Sequence, residues 1–148
     1  MGVMLGAEIR KASIVADHDA GDGIRFGACE LAWPMDDVTF RQHAEREIRT
    51  ALAGPVAEQI YIGQQEIRIQ RESSVDWTYA AMYAEKFLSD KSSRTKLLFD
   101  VAGEIHDLFR RDDAWAAVAS TADELLAHHE LEGEALTESV QFWISRLN

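Results

Sequence analysis

Apolar and polar residues alternate near the start of the chain and follow a different spacing afterwards. Residues 11–16 and 24–32 have the short, apolar-rich pattern of strands, and the residues between them are rich in Gly and Asp. Pro34 follows the second of these segments and predicts its end. The pattern therefore predicts a small N-terminal β-hairpin.

From Val38 onward, apolar residues recur every three or four positions, which is typical of amphipathic helices. Asp37 is the predicted N-cap of the first helix. The pair Gly54-Pro55 predicts an interruption, followed by a second short helix that ends near Gly63. Residues 64–72 fit either a loop or an edge strand.

Each helix is predicted to bury one apolar stripe. The first stripe is Ala44, Ile48, Ala51 and Leu52; the later ones are Val75, Tyr79, Met82, Tyr83 and Phe87; Leu97, Leu98, Val101, Ile105, Leu108 and Phe109; Trp115, Val118, Ala119, Ala122, Leu125 and Leu126; and Leu136, Val140, Trp143, Ile144 and Leu147. Because one stripe cannot be buried alone, the helices must pack together. The predicted fold is mainly α, a small hairpin followed by a helical bundle, as one domain over residues 1–148.

Composition narrows the classes of function. A hydrophobic fraction of 47% is that of an ordinary globular protein, and a net charge of −11 opposes binding to nucleic acid. No apolar run approaches the ~20 residues of a membrane span, and the N-terminus lacks the pattern of a signal peptide. Cys29 is the only cysteine, so a reduced thiol in the cytoplasm is expected.

Several passages share features with one known family. They are residues 5–14 with 27–34, residues 52–63, residues 73–77 followed by Ala80 and Ala84, and residues 125–136. In this order they resemble the zinc-peptidase domain of the FtsH-type ATP-dependent metalloproteases. The resemblance implies an FtsH peptidase-domain-like fold and a peptide or protein substrate, and it places Asp76 at the position of the third zinc ligand.

The residues that zinc chemistry needs are otherwise absent. No H-E-x-x-H motif occurs in the 148 residues, so the two His ligands and the general-base Glu have no counterparts and no catalytic residue is assigned. The ATPase loop G-x-x-x-x-G-K-[ST] is absent as well. Residues 1–6 resemble the end of an apolar helix, which predicts that the natural chain extends upstream through a zinc-binding helix. Zinc is expected in such a longer or active relative, and no cofactor is expected in this chain.

Asp76 has a second interpretation. Ser73-x-x-Asp76 has the spacing of a capping box, and an acid in a first turn is favoured by the helix dipole. Against this, Ala80, Tyr83 and Phe87 share its helical face, and a carboxylate over an apolar surface needs a partner or a metal. Together with the resemblance, this favours Asp76 as a former zinc ligand.

Other histidines have simpler interpretations. His18 lies in a Gly-rich turn, where positions i and i+4 do not share a face. Glu124 and His128 have helical spacing and are predicted to be a surface pair. His43 and His106 are predicted to be surface or packing residues.

Two functions follow. The first is a metallopeptidase-like domain that is inactive as this chain. The second is a non-catalytic helical module for binding or assembly that kept the fold and lost the metal. Loss of a first helix would expose part of the core, so self-association is also expected.

Overall fold

The computed structural model describes residues 1–17, 25–63 and 75–145, and this part of the chain is mainly helical with a small antiparallel sheet. It divides into two compact units. Asp36–Arg111 form the first, named the helical unit below, and Gly2–Met35 with Asp112–Asn148 form the second, the sheet unit. None of the helices in the described part is both long enough and apolar enough to cross a membrane.

The described residues of the helical unit form three helices that pack against one another: α1 (Phe40–Tyr61), α2 (Val75–Glu85) and α3 (Lys91–Phe109). Thr39, and not the predicted Asp37, caps α1. Its hydroxyl accepts a hydrogen bond from the Gln42 backbone N–H, and the Gln42 side chain accepts one from the Thr39 N–H at 2.8 Å. This reciprocal box satisfies two N–H groups of the helix start, which a cap at Asp37 would leave exposed.

The predicted interruption at Gly54-Pro55 is also wrong, because α1 continues through Pro55 to Tyr61. Ala44, Ile48, Leu52 and Val56 are all completely buried and repeat every four residues across this point. Gly54 has no Cβ to meet the proline ring, so the usual clash before proline is relieved. Burial of one unbroken stripe offsets the lost backbone hydrogen bond.

The predicted stripe of α2 is on the wrong side of the helix. Val75, Tyr79 and Met82 are exposed, whereas Trp77, Ala80 and Ala84 are buried. Apolar residues surround this helix almost completely, so spacing alone could not select a face. Alanines are buried here because their small size allows two helix backbones to approach closely.

The predicted α3 stripe is confirmed at four of its six residues, and the other two, Leu97 and Leu108, are partly buried. Leu98, Val101, Ile105 and Phe109 are buried, together with Ala102. Asp90 caps this helix by accepting a hydrogen bond from the Ser93 N–H at 2.7 Å, and this bond holds the pKa of the Asp90 carboxyl below its usual value.

In its described residues, the sheet unit contains three strands and two α-helices, besides the short 3-10 helix Val3–Leu5. The strands are β1 (Glu8–Asp17), β2 (Arg25–Ala32) and β3 (Glu130–Glu132), and the helices are α4 (Asp112–His128) and α5 (Gly133–Ile144). The sheet order is β2-β1-β3, antiparallel throughout. Pairing of the first two strands is confirmed, and β3 is an addition that the sequence pattern did not predict. The predicted turn at 17–23, apart from Asp17, and the segment 64–72 lie outside the described residues.

Helices α4 and α5 belong with the sheet and not with α1–α3, which departs from the predicted bundle of four stripes. Ile9 and Ala12 of β1 pack with Leu136 of α5, and Val3, Leu125 and Leu131 surround them. Of the predicted α4 stripe, Leu126 is exposed, and Ala114 is the residue of this helix that is buried. Helix α5 therefore packs against β1 through Leu136.

Candidate functional site

Asp76 is the second residue of α2 and lies in its first turn. Ala80 and Ala84 follow it at intervals of four residues and are completely buried, so all three share one face of the helix. A Cβ atom built on Gly54 of α1 would lie 3.8 Å from Oδ2 of Asp76. The fold thus brings the Asp76 carboxylate of α2 beside Gly54 of α1.

The surroundings of this carboxylate are unfavourable for its charge. Although the residue is exposed as a whole, desolvation raises the pKa of the Asp76 carboxyl. Among residues 1–17, 25–63 and 75–145, no side chain forms an ion pair or a hydrogen bond with it. Ser73, the partner in the alternative capping interpretation, lies outside the described residues. A carboxylate in such a place can accept a proton or hold a cation.

The other predicted residues occupy simpler environments. His128 Nε2 lies 3.5 Å from Glu124 Oε2, and both side chains are more than half exposed, as predicted for a surface pair. His106 Nδ1 lies 3.7 Å from Asp107 Oδ1. Cys29 lies in β2, where partial desolvation raises the pKa of its thiol.

Sequence reasoning missed a polar cluster between α1 and α2. His43 Nε2 lies 3.6 Å from Glu47 Oε1 on α1. On α2, the Tyr79 and Tyr83 hydroxyls are hydrogen-bonded at 3.3 Å, and the Tyr83 ring meets the His43 ring edge to face, with centroids 6.5 Å apart. Each helix carries its pair at an interval of four, which the sequence shows. The sequence does not show that the two pairs meet.

Within the described ranges, no group of three or more His, Cys, Asp and Glu side chains could hold a metal ion. A scan against models of protein families, a search of curated proteins and a search of solved structures each gave no match to this chain. Its function is therefore inferred from its residues and their geometry.

Proposed function

We propose that this chain is a zinc metallopeptidase-like domain related to the FtsH protease domain, with Asp76 at the position of the third metal ligand. The observation that carries the proposal is the carboxylate of Asp76, partly desolvated at the junction of α1 and α2 beside Gly54. In the described part of the chain, no ion pair or hydrogen bond compensates for the desolvation of this carboxylate.

Such a carboxylate contributes little to folding. Desolvation without a partner disfavours the ionised form, so an acid here weakens the folded state above its folded-state pKa. Residues that are unfavourable for stability tend to occur at functional sites. A bound cation would reverse the effect by favouring the charged form.

Zinc held by two histidines and a carboxylate lowers the pKa of a bound water toward ~7. This chain supplies one oxygen ligand, Asp76, and its sequence holds no H-E-x-x-H. The 148 residues alone are therefore proposed to be inactive, and a longer natural chain would supply the histidines and the base.

The first experiment is to read the coding DNA upstream of Met1 in the same frame. If it encodes H-E-x-x-H within a few codons, the extended chain is expected to contain about one zinc ion by mass spectrometry and to cleave an unfolded protein such as casein. Asp76→Asn is then expected to remove most of the zinc and the activity.

Asp113→Asn is the matched control, because Asp113 is the second residue of α4 as Asp76 is of α2. It is expected to retain zinc. The proposal is wrong if no such motif is encoded, or if Asp76→Asn retains the metal as well as Asp113→Asn does.

The second candidate, a non-catalytic module for binding or assembly, is favoured by the exposed apolar surface of the helical unit. Its large exposed side chains are Phe40, Tyr61, Ile62, Val75, Tyr79, Met82 and Phe99. Exposed apolar groups that form a patch are typical of protein interaction sites. A stop codon upstream, without the motif, would leave this as the better proposal.

A further inference from the structure

Strand β2 lies at the edge of the sheet, and its outer side is open. The strand order is β2-β1-β3, so β2 pairs with β1 on one side only. Within residues 1–17, 25–63 and 75–145, no backbone group is hydrogen-bonded to the other side of β2. Ala28, Cys29 and Glu30 are exposed in succession. Because successive side chains point to opposite faces of a strand, both faces are accessible in the middle of this edge.

The hydrogen bonds of the sheet show which backbone groups of β2 point outward. The Ile14 N–H donates to the His129 carbonyl at 2.9 Å, in register with the pairing of β1 and β3, so Ile14 directs its backbone groups toward β3. Backbone direction alternates along a strand, so the preceding residue, Ser13, directs its groups toward its partner Ala28 in β2. Ala28 in turn faces β1. The N–H and C=O of the next residue, Cys29, therefore point away from the sheet.

These outward groups are complementary to those of a second copy of the chain. If two β2 strands pair antiparallel about a two-fold axis at Cys29, each Cys29 exchanges two hydrogen bonds with Cys29 of the second copy. Glu30 then lies opposite Ala28, and no like charges face each other at the centre. An axis at residue 30 would instead oppose two glutamates, which is unfavourable. An axis at residue 28 would place Gly27, whose φ is 112°, beside the centre of the ladder, where extended geometry is needed.

We propose that two copies of this chain associate through the outer edges of their β2 strands, in register at Cys29, and join their sheets into one. The unpaired groups of an edge strand are a template for another strand, and here the second strand is an identical β2. The net charge of −11 opposes the approach of two copies, and salt at about 0.15 M screens much of this repulsion. The inference uses no residue of the helical unit, so it does not rest on the proposed peptidase relationship.

The first test is the mass of the 148-residue chain, measured by light scattering in about 0.15 M salt. We expect twice the chain mass of 16.6 kDa at high concentration. Cys29→Lys places two lysines opposite each other and is expected to raise the dissociation constant of the dimer about tenfold or more. Ala28→Lys is the matched control, because its lysine faces Glu30 of the second copy and the dimer is expected to be retained.

Circular dichroism checks that both lysine variants are folded. A monomer at every concentration would overturn the proposal, and so would equal weakening of the dimer by the two lysines.

The register is tested on the unmodified thiol by oxidation with diamide, which joins two thiols in a disulfide. In a hydrogen-bonded antiparallel pair, opposite Cα atoms lie about 5.5 Å apart, within the range that a disulfide spans. Cys29 is the only cysteine, so a disulfide-linked dimer on a non-reducing gel reports this one contact.

The control for the register carries both Cys29→Ser and Ala28→Cys, which moves the thiol by one residue. In the proposed register the two relocated cysteines are diagonal neighbours, about 7–8 Å apart, so cross-linking is expected to be about tenfold slower or more. Cross-linking of this variant as fast as that of the unmodified chain, or faster, would overturn pairing at Cys29.

Discussion

Gly133 is fixed at its position by the backbone of a neighbouring strand. It is the first residue of α5, and a Cβ atom built there would lie 1.6 Å from the carbonyl oxygen of Ile9 in β1. Any side chain would force the helix away from the sheet and from the core around Leu136. We expect Gly133→Ala to lower the free energy of unfolding by about 2 kcal/mol or more, measured by urea denaturation.

Gly103 provides the opposite case of the same substitution. It lies inside α3, and no atom is found within 4 Å of a Cβ built there. Gly103→Ala should therefore raise the free energy of unfolding by about 0.5–1 kcal/mol, because alanine loses less backbone entropy in a helix. If both variants lost the same free energy of unfolding, the close approach of the Ile9 carbonyl oxygen could not explain the need for glycine at residue 133.

At the same scale, the sequence marks Asp76 as a candidate zinc ligand but does not show which residues surround its carboxylate. An acid at the start of a helix is visible in the local pattern, whereas its neighbour Gly54 lies 22 positions earlier and meets it only in the folded chain. The spacing of Tyr79 and Tyr83 and their aromatic rings predict that both belong to a buried stripe. Their hydroxyls instead belong to a polar cluster at the surface, which no local rule predicts.

Among the elements, the start of α1 tests whether the capping box determines where a helix begins. Replacing Thr39 with Ala removes the side-chain acceptor for the Gln42 N–H and is expected to lower the free energy of unfolding by about 1 kcal/mol. Asp37→Ala, at the cap predicted from the sequence, should change it by less than about 0.5 kcal/mol. Thermal unfolding of both variants measures the difference, and a larger loss for Asp37→Ala would place the cap there.

The errors in α1 have a common physical origin. Local signals at Asp37 and at Gly54-Pro55 compete with the packing of a long stripe, and packing determines the outcome. The reciprocal pattern Thr39-x-x-Gln42 was present in the sequence and would have located the start. Continuation through Pro55 could not be foreseen, because it depends on burial against helices that occur later in the chain.

In the whole molecule, periodicity identified the α3 stripe but not the partner of every helix. The pattern of α5 predicted burial of Leu136, which is confirmed, yet its partners are Ile9 and Ala12 of the sheet. A strand of three residues, β3, has too few positions to show alternation. Long-range pairing of this kind depends on the whole fold, so a mainly helical protein was predictable and the division into two units was not.

Helices of the two units differ in how many of their residues are buried. The helix with more buried residues is expected to be locally more stable. Helix α1 buries Ala44, Ile48, Leu52, Val56 and others completely or nearly so, whereas in α4 Ala114 is the buried residue. Because local opening is easiest where few apolar contacts are broken, amides in the middle of α1 should exchange with deuterium at least about tenfold more slowly than those of α4 after correction for intrinsic rates. Hydrogen exchange followed by mass spectrometry measures this. Equal protection would mean that the two units open together in a single global event, and that burial within each unit does not set its stability.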